Sequence, residues 1–571
     1  MNHSTEDIVI WGAGKIGRGF IADLYSNAGY QITFVDADAD LVEKLKNKGK
    51  YSLCHMYSDG TKKCSVIKGF DVLHISSTEE LSRRMNKAKV MSVSVFPQHF
   101  ENVARDLAVL ICGRMKAGVR QPLNVLLCAN IFEPGRKMDT ALRSFLDEGC
   151  VRYYEETVGI AECIVIRMVV PPPEEMLKED ELVIATNGYP ELIVDKKPWK
   201  GALPDIKGIR MTDDIEAFEA RKFFTYNMLH ALYSYVGQTK GLKYVFDCTK
   251  DTKVQGIAEH ALDEVLEAVS AQYQADERDI ENWRENVLKN MENPLLYDEL
   301  ERVGADPVRK LARNDRLTGA ALLCINNGMM PYYLTKAIAA GILYCNKRDK
   351  KSMEIADNVK KEGIRKTVVK YCGLDREPEL VQMICEECNE ILNGKLFESD
   401  PKTVDLIKKA YTAGFNMEKA YRGCGQCTLL GLYEVTGNYD DALFQYSSAM
   451  SGGMGLCGDG ACGGYICGIL FMGKYAGRRR EQMMIDGDKE EQYRSYDMSQ
   501  ELHDLIKETY GDVVCKSIHQ KIFGQDYCLR TKPVRDAFEE AGAHTVKCTG
   551  VIAMISTFVI RILLKYGYIK A

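Results

Sequence analysis

The apolar positions in the first part of the chain fall into short runs that are typical of buried strands. Residues 8–11 (IVIW) and 32–35 (ITFV) are continuous apolar runs, separated by a glycine-rich turn and a segment of helical length. Two later runs, at 89–95 (KVMSVSV) and 123–130 (LNVLLCAN), continue the pattern. Buried strands that alternate with helices are typical of a parallel sheet. The pattern therefore predicts an α/β domain with a Rossmann-type parallel sheet over residues 1–195.

Helical patterns follow. We expect a mostly α-helical substrate domain over residues 196–392 and a separate α-helical, cysteine-rich domain over residues 393–571. The polar stretch NGKLFESDPKT (393–403) marks the boundary between them. The most apolar late stretch, GVIAMISTFVIRILL (550–564), is short for a bilayer span and contains Arg561. We interpret it as a buried core helix and expect no membrane partner.

The turn after the first apolar run has the glycine spacing of a dinucleotide-binding site. In its G-x-G-x-x-G motif, the first glycine permits the turn, the second lets the backbone approach a pyrophosphate and the third packs helix against strand. The helix N-terminus supplies free N–H groups. Asp36 ends the second strand, where a carboxylate bonds ribose hydroxyls and repels a 2′-phosphate, so NAD is expected rather than NADP. The expected cofactor-binding residues here are Gly12, Ala13, Gly14, Lys15, Ile16, Gly17 and Asp36.

The segment RKFFTYNMLHALYSYVG (221–237) indicates an amphipathic helix with an unusual set of polar residues. With Lys222 as the origin, a rotation of about 100° per residue places Glu219 at about 60° and His230 at about 80°. Asn227 follows at about 140°, so the four polar groups share one broad face. For such a segment taken alone, a helix edge with solvated charges and one satisfied histidine is the more common explanation.

Several stretches together resemble the long-chain mannitol dehydrogenase family. They are GAGKIGRGF (12–20), PLNVLLCAN (122–130), ELIVDKKPWKGALPDIKGI (191–209), RKFFTYNMLHA (221–231) and NPLLYDELERVGADPVRKLARNDRL (293–317). The likeness covers roughly residues 6–392, in order and with few gaps. It implies a zinc-independent, NAD-dependent oxidoreductase that interconverts a polyol or polyol phosphate and the corresponding ketose.

The catalytic motif of that family, K-x4-N-x2-H, matches Lys222, Asn227 and His230 position for position. The resemblance implies that Lys222 is the general base, which removes the hydroxyl proton as hydride leaves the same carbon. It implies that Asn227 and His230 hold the substrate oxygen and stabilise developing negative charge, the task of zinc in other dehydrogenases. With this context, the catalytic interpretation of the helix is favoured over the helix-edge one.

Three positions that are acidic in close family members are not acidic here, and they are Ala129, Ile166 and Ala220. The resemblance still implies a cofactor contact for Asn130 and a substrate contact for Arg167, and Glu219 is placed to take over a proton-relay role. The changes leave two alternatives open. One is a reductase for a sugar acid such as a hexuronate or aldonate, and the other is an NAD-binding redox-sensing or electron-transfer protein without polyol turnover.

The charge balance argues against a nucleic-acid partner, because the net charge is −6. The N-terminus lacks the pattern of a signal peptide, so a cytoplasmic location is expected. A small-molecule polyol, sugar phosphate or sugar acid is the expected partner, and the sequence does not indicate an oligomeric state. One basic cluster suits either a substrate phosphate or a salt-bridged helix surface, and it consists of Arg309, Lys310, Arg313 and Arg316.

Cysteine density changes along the chain. Of the 20 cysteines, twelve lie at irregular spacings in residues 1–392, which suits buried thiols in a reducing compartment. The remaining eight are Cys424, Cys427, Cys457, Cys462, Cys467, Cys515, Cys528 and Cys548. Their region, roughly 400–571, resembles the family named for its C-GCAxxG-C-C redox-type cysteine pattern.

Clustered cysteines beside glycines indicate metal ligation or thiol exchange. Zinc usually shows two C-x-x-C pairs and this tail has one, so an iron–sulfur cluster or a dithiol relay with a redox partner is favoured over zinc. Another metal is a further alternative. Free thiols in a tight helical core are the alternative. We expect the first five tail cysteines to converge near one site, with the last three supplying further thiolates.

Overall fold

All named strands of the computed structural model, which describes residues 6–129, 133–484 and 490–571, precede residue 213. They are β1 (Asp7–Trp11), β2 (Gln31–Asp36), β3 (Lys50–Met56), β4 (Lys62–Lys68), β5 (Asp71–His74), β6 (Val90–Val93), β7 (Leu123–Leu127), β8 (Val158–Val165), β9 (Val169–Val170), β10 (Ile184–Thr186), β11 (Leu192–Asp195) and β12 (Ile209–Thr212). Eight of them form one sheet, in the order β12-β11-β8-β7-β6-β1-β2-β5. The other four form a second sheet, in the order β4-β3-β10-β9.

The larger sheet has the strand order of a dinucleotide-binding fold. The run β5-β2-β1-β6-β7-β8 is parallel throughout and corresponds to the order 3-2-1-4-5-6. The order reverses between β1 and β6, so the carboxyl ends of these two strands border the crevice where such folds bind ligands. The predicted Rossmann-type parallel sheet is confirmed. It is extended by β11, which is antiparallel to β8, and by β12, which lies beyond residue 195.

The core explains why β1 is apolar at successive positions. Ile8 and Ile10 pack into one buried cluster, and Val9 and Trp11 pack into a second. Successive strand residues point to opposite faces, so both faces of the sheet are covered. Each fully buried aliphatic side chain of this kind stabilises the fold by about 1.5–3 kcal/mol.

The described residues divide into two compact units. Unit 1 contains those through Lys222 together with Leu288–Tyr297, and unit 2 contains Phe223–Val287 and Asp298–Ala571. Besides its strands, unit 1 contains 3₁₀ turns at Pro97–His99 and Pro294–Leu296. Its α-helices are α1 (Ala22–Asn27), α2 (Ala39–Lys48), α3 (Thr78–Lys87), α4 (Phe100–Lys116), α5 (Pro134–Phe145), α6 (Glu148–Thr157), α7 (Glu174–Glu179) and α8 (Ile215–Lys222).

Unit 2 is built from helices. They are α9 (Met228–Thr239), α10 (Val245–Lys250), α11 (Thr252–Tyr273), α12 (Glu277–Met291, which ends in unit 1), α13 (Leu300–Gly304), α14 (Pro307–Lys310), α15 (Thr318–Asn326), α16 (Tyr332–Leu343), α17 (Lys350–Glu362), α18 (Ile364–Cys372), α19 (Pro378–Leu392), α20 (Pro401–Tyr421), α21 (Cys424–Thr436), α22 (Asp441–Tyr446), α23 (Gly463–Ala476), α24 (Arg480–Met483), α25 (Glu490–Tyr510), α26 (Cys515–Phe523), α27 (Lys532–Glu540) and α28 (Cys548–Lys565). The expected boundary at 393–403 falls between α19 and α20, inside this one unit. The three-domain division stays a prediction.

Three π-helical turns interrupt or precede helices. They are Gly17–Ile21, Phe223–Asn227 and Ala543–Lys547. The second turn lies inside the segment 221–237, so the uniform α-helix assumed for the angles of its polar residues is wrong. A π turn has i→i+5 hydrogen bonds and rotates the residues after it relative to an α-helix, and such turns are frequent at functional sites.

Helix α28 is the core of the C-terminal region. Together with the preceding π turn it is long and apolar enough to cross a membrane by length and composition, yet 78% of its most apolar window is buried inside the protein. Arg561, the charge within it, pairs with Glu386 at 2.9 Å. The predicted buried core helix is what the structure contains here.

Two cysteine pairs differ from the expectation of free thiols before residue 393. Cys54 and Cys64 are opposite each other on β3 and β4 and form a disulfide. Cys112 and Cys150 form a second disulfide. The sequence offered no sign of either pair, because their spacings of 10 and 38 residues follow no motif. The cytoplasmic location stays a prediction.

Close packing of α20 against α28 gives a stability test. A Cβ at Gly414 would lie 2.6 Å from Ser556 Oγ and 2.9 Å from the Ile552 carbonyl oxygen, whereas a Cβ at Gly473 would meet nothing within 4 Å. We expect Gly414→Ala to lower the free energy of unfolding by about 1–3 kcal/mol through overpacking. We expect Gly473→Ala, the matched control, to raise it by up to about 1 kcal/mol through helix propensity. Urea unfolding measures both, and equal effects of the two changes would contradict this packing.

Candidate functional site

The glycine turn after β1 is fixed by close backbone contacts. Gly12 donates its N–H to the Val35 carbonyl at 2.8 Å and has a φ of +101°. A Cβ there would lie 2.5 Å from the Ser94 carbonyl oxygen, and a Cβ at Gly17 would lie 2.0 Å from the Gly12 carbonyl oxygen. Both positions therefore require glycine, for the turn and for helix–strand packing as the motif predicts.

The outer side of the same turn is open. A Cβ at Gly14 would meet nothing within 4 Å, so this stretch of backbone is free to approach a pyrophosphate. Lys15 is exposed, and Ile16 packs against the core. The Asp36 carboxylate accepts the N–H of Ala13 at 2.7 Å, which places it beside the turn. The structure thus brings the seven predicted cofactor-binding residues of this region together, whereas Asn130 lies outside the described residues.

A buried arginine that the sequence did not single out supports the turn. Arg18 donates from Nε to the Ala13 carbonyl at 2.6 Å and from Nη1 to the Leu182 carbonyl at 2.8 Å. Burial lowers its pKa, and the nearby Tyr51, Asp180 and Asp36 oppose that effect. A side chain that is held by two carbonyls fixes the conformation of the turn.

Two carboxylates of unit 1 lie at the N-terminus of α5. Glu162 accepts the Gly135 N–H at 2.7 Å, and a Cβ at Gly135 would lie 2.6 Å from the same carboxylate. Glu219 lies near the backbone N–H of Glu133, which slightly favours its charged form. Burial raises the pKa of Glu219 to about 7, with a further rise from Glu162 and an opposing effect from Lys222. The half-buried Lys222 is therefore close enough to Glu219 for their charges to interact.

In unit 2, Asn227 ends the π turn and is buried. Among the described residues, its Nδ2 has no hydrogen-bond partner. A buried amide without a partner is costly, so a ligand atom is its natural complement.

His230 is oriented by a buried acid. Its Nε2 lies 3.5 Å from Asp298 Oδ2, and Arg302 binds the other oxygen of the same carboxylate. Burial raises the pKa of Asp298, but the hydrogen bond with His230 and the charge of Arg302 outweigh it, and the net shift is downward. Asp298 is therefore a carboxylate that fixes the imidazole.

Arg167 is engaged inside unit 1. It pairs with Asp23 at 2.5 Å and donates to the carbonyls of Gly19 and Tyr189 at 3.1 Å and 2.7 Å. Its guanidinium also lies 4.2 Å from the centre of the Phe20 ring. These contacts account for its position structurally, and the substrate contact expected of it stays a prediction.

The basic cluster at 309–316 is mostly paired with acids. Arg313 forms two hydrogen bonds with Glu377, at 2.8 and 2.9 Å, and Arg316 bonds Asp315 at 2.7 Å. Arg309 pairs with Asp306 at 3.1 Å. The salt-bridged surface, the second of the two interpretations left open by the sequence, describes this arrangement better than a free phosphate site.

Four of the first five tail cysteines are neighbours. The thiols of Cys424 and Cys462 are close enough to shift each other's pKa, downward for Cys424 and upward for Cys462. The charge of Cys424 also raises the pKa values of Cys427 and Cys467, after the larger effect of burial. Among the last three, Cys515 and Cys548 both contact His519, whose Nε2 lies 3.5 and 3.9 Å from their sulfurs. After the larger effect of burial, the charge of Cys424 raises the pKa of both thiols, so they lie near the same group.

Cys457 does not join the other four. Its sulfur accepts a hydrogen bond from Arg530 at 2.9 Å, and the Cys528 thiol donates to its carbonyl at 3.8 Å. Cys528 is exposed, and Cys457 is half-buried. The structure therefore separates the eight cysteines into an inner group of six and an outer pair.

Comparison with known proteins identifies the family of the first two thirds of the chain. A mannitol-1-phosphate 5-dehydrogenase of Thermoanaerobacter pseudethanolicus (strain ATCC 33223 / 39E) is 32% identical over 383 residues, which are 67% of this chain and 97% of the relative. The chain belongs to the mannitol dehydrogenase family. Family models agree in order: the mannitol dehydrogenase Rossmann domain matches residues 6–208, and the mannitol dehydrogenase C-terminal domain matches residues 214–392. A third model, described as "Putative redox-active protein (C_GCAxxG_C_C)", matches residues 423–562. The resemblances stated from the sequence are confirmed.

Solved structures show the same fold for this mannitol dehydrogenase family member. A D-sorbitol dehydrogenase in substrate-free form has a TM-score of 0.60 at 17% identity, over 69% of this chain and 94% of its own. A Pseudomonas fluorescens mannitol 2-dehydrogenase, solved with NAD and D-mannitol, has a TM-score of 0.55 at 16% identity, over 69% and 93%. At these identities the likeness establishes the fold.

Sequence reasoning missed two acidic residues of this family member. Glu162 is the single charged residue of the otherwise apolar strand β8, and a lone charge in a buried strand was a usable signal. Asp298 gave no such signal, because it lies in a loop and acts on a histidine 68 positions earlier. The three missing acids at Ala129, Ile166 and Ala220 therefore do not leave unit 1 without carboxylates, because the charges of Glu162 and Lys222 both act on Glu219.

The raised pKa of Glu219 predicts a pH dependence of stability. Folding raises the pKa of Glu219 from 4.5 to about 7, so between these pH values the folded protein binds more protons than the unfolded chain. The stability of the native protein therefore falls as pH rises from about 4.5 to 7. Glu219→Gln stays neutral, so its melting temperature should rise relative to the native protein between about pH 4.5 and 7 and then level off. Glu216→Gln, at an exposed position of the same helix, is the control and should show a flat difference. A flat difference for both variants would contradict the raised pKa.

Proposed function

We propose that this protein is an NAD-dependent polyol or polyol-phosphate dehydrogenase in which Lys222 is the general base. The buried amide nitrogen of Asn227, which has no hydrogen-bond partner within residues 6–129, 133–484 and 490–571, is the observation that carries the proposal, together with the family spacing K-x4-N-x2-H. A buried N–H donor of this kind suits a substrate oxygen.

Each residue has its own role in the proposed reaction. Lys222 removes the proton from the substrate hydroxyl, and NAD, when bound, accepts the hydride from the same carbon. Glu219, with a pKa of about 7, takes the proton on from Lys222 and releases it to water. Asn227 donates a hydrogen bond to the substrate oxygen as its negative charge develops. His230 is held at Nε2 by Asp298, which leaves Nδ1 for the substrate.

These side chains supply a base and hydrogen-bond donors, so we infer that the reaction needs no zinc. Dialysis against a chelator should leave turnover unchanged. A loss of activity that is restored by zinc would contradict this inference.

The substrate class is supported by the relative named mannitol-1-phosphate 5-dehydrogenase. A sugar acid such as a hexuronate or aldonate is the alternative within enzymes, and the acid-paired cluster at 309–316 gives no argument for a phosphate. A panel of polyols, polyol phosphates and aldonates with NAD, read by NADH absorbance, decides among them. If no member of the panel is turned over, the protein is better described as an NAD-binding redox sensor.

A second function is favoured for the tail by the closeness of the Cys424 and Cys462 thiols, each of which shifts the pKa of the other. Two adjacent thiols suit dithiol–disulfide exchange. In the described part of the chain, no tail cysteine belongs to a set of three ligand atoms within 4.8 Å of one another, the closeness that a single metal ion needs. An iron–sulfur cluster tolerates wider spacing and is the alternative, which iron analysis of anaerobically purified protein tests.

Removal of the base tests the main proposal. Lys222→Ala should reduce turnover by at least about a hundredfold, the usual scale for losing general-base catalysis. NAD affinity should change little, because the lysine acts on the substrate. Lys253→Ala, at an exposed lysine of α11, is the matched control and should retain native turnover. Near-native turnover of Lys222→Ala would remove the lysine from the mechanism.

The charge of Asp36 tests cofactor choice. We expect the native protein to bind NAD more tightly than NADP, because the carboxylate repels a 2′-phosphate. Asp36→Asn removes the charge but keeps one acceptor for the Ala13 N–H. The ratio of the NADP and NAD dissociation constants should therefore fall by at least about fivefold, which corresponds to a charge interaction of about 1 kcal/mol. Asp40→Asn, at an exposed position of α2, should leave the preference unchanged. Tighter NADP binding by the native protein would overturn the assignment.

A further inference from the structure

We propose that Cys424 and Cys462 form the redox-active dithiol of the tail, with Cys424 as the attacking thiolate and Cys462 as the resolving thiol. The co-substrate is a small disulfide. The proposal rests on the thiol-exchange function suggested above for the tail, and it rejects the C-x-x-C pair of Cys424 and Cys427 that the sequence makes the obvious choice.

Cys424 has the surroundings of a stabilised thiolate. It is the first residue of α21, a helix of 13 residues, where free N–H groups and the helix dipole favour negative charge. The Cys462 thiol, the Gly452 N–H and the Ser451 hydroxyl also lie near its sulfur and lower its pKa. Ser451 Oγ already accepts the Gly425 N–H at 3.3 Å, so its own proton is free to point at the sulfur. The Cys462 thiol is the largest influence on the Cys424 pKa, which is lowered despite burial.

A strained loop brings two of these donors to the sulfur. Residues 452–456 (GGMGL) have φ values of +60, +69, +64, +61 and +66°, and they include the non-glycine residues Met454 and Leu456. A left-handed conformation costs about 1–2 kcal/mol at each non-glycine residue. Backbone hydrogen bonds hold the loop closed, among them Leu456 N–H to the Ser451 carbonyl at 3.2 Å and Gly458 N–H to the Gly452 carbonyl at 2.9 Å. Strain of this kind concentrates at functional sites.

Cys462 is fixed opposite this sulfur. It is the N-cap residue of α23, and its N–H donates to the Val513 carbonyl at 2.8 Å. At the next position, Gly463, a Cβ would lie 2.7 Å from Cys424 Sγ. Glycine is therefore what lets the two cysteines approach. The neighbouring Cys424, followed by burial, raises the pKa of Cys462 well above its usual range, so Cys424 is the first of the two thiols to lose its proton.

Cys427 lacks these features. It is buried, with an exposed fraction of 1%, and its pKa is raised by burial and by the neighbouring Glu418. These surroundings favour the protonated thiol. In α21 it follows Cys424 by three residues, so it does not share the helix N-terminus.

The exchange has two steps that balance. The Cys424 thiolate attacks one sulfur of the small disulfide RSSR, forms a mixed disulfide and releases RS⁻. The Cys462 thiol then loses its proton to the released thiolate or to water and attacks the Cys424 sulfur, which releases the second RS⁻. Two electrons pass from the protein to the disulfide, and the Cys424–Cys462 disulfide remains.

The experiment uses the full chain, reduced and then treated with glutathione disulfide. After acid quenching and alkylation of the remaining thiols, non-reducing peptide mapping should show one dominant new link, between the peptides of Cys424 and Cys462. Cys462→Ser should trap glutathione on Cys424. Cys427→Ser, the matched control, should still form the Cys424–Cys462 link.

A second measurement is the pH dependence of Cys424 alkylation in the native protein. Its midpoint should lie below about 8.5, the ordinary value for a thiol. Ser451→Ala removes one donor and should move the midpoint upward, while Cys427→Ser should not move it.

Two outcomes would overturn the proposal in different ways. A dominant Cys424–Cys427 link would reject the pair while leaving thiol exchange in place. Bound iron, or no new link among the tail cysteines, would reject thiol exchange itself. The NADH assay of the polyol panel reads the dehydrogenase independently of all these results.

Discussion

At both candidate sites, the backbone of a glycine lies so close to another atom that no Cβ would fit. In the dinucleotide turn, the carbonyl oxygens of Ser94 and Gly12 lie where side chains at Gly12 and Gly17 would have to be. In the tail, the Cys424 sulfur occupies the space that a side chain at Gly463 would need. Each approach brings N–H or S–H donors to a place where negative charge is held, a phosphate in one case and a thiolate in the other. The fold around each turn can form only while these positions stay glycine.

The sheet and the glycine turn could be predicted because their signals are local. Successive apolar residues of β1 supply both faces of the sheet, and the glycine spacing sets a turn within six residues. Contacts between residues that are distant in sequence could not be predicted in this way. The pairing of Cys424 with Cys462 depends on how α21 and α23 pack, and the orientation of His230 depends on Asp298. The apolar spacing of 221–237 also fits an α-helix, so the π turn left no periodic trace.

The cysteine-rich region is joined to the helical part of the dehydrogenase rather than added beside it. Lys408 of α20 pairs with the buried Glu264 of α11 at 3.0 Å, and that carboxylate also accepts the N–H groups of Tyr333 and Leu334. Arg365 bonds Glu508 at 3.0 Å. Removing one partner of a buried ion pair such as Lys408–Glu264 lowers the free energy of unfolding by about 3–5 kcal/mol, because a charge is left unpaired in the interior. Such contacts explain why residues 298–571 fall in one unit although their sequence resembles two families.

Backbone strain is distributed in a way that supports the assignment of both sites. Among the described residues, seven non-glycine residues have positive φ: Glu133, Gln274, Tyr297, Asp306, Arg422, Met454 and Leu456. The N–H of Glu133 lies near Glu219, Tyr297 immediately precedes Asp298, and Arg422 lies two residues before Cys424. Met454 and Leu456 belong to the loop that presents donors to the Cys424 sulfur. Because each such residue costs about 1–3 kcal/mol, random placement would be removed by selection for stability. Five of the seven instead lie beside groups whose positions the proposed chemistry requires. Backbone strain is retained at such positions because it serves the function of the site.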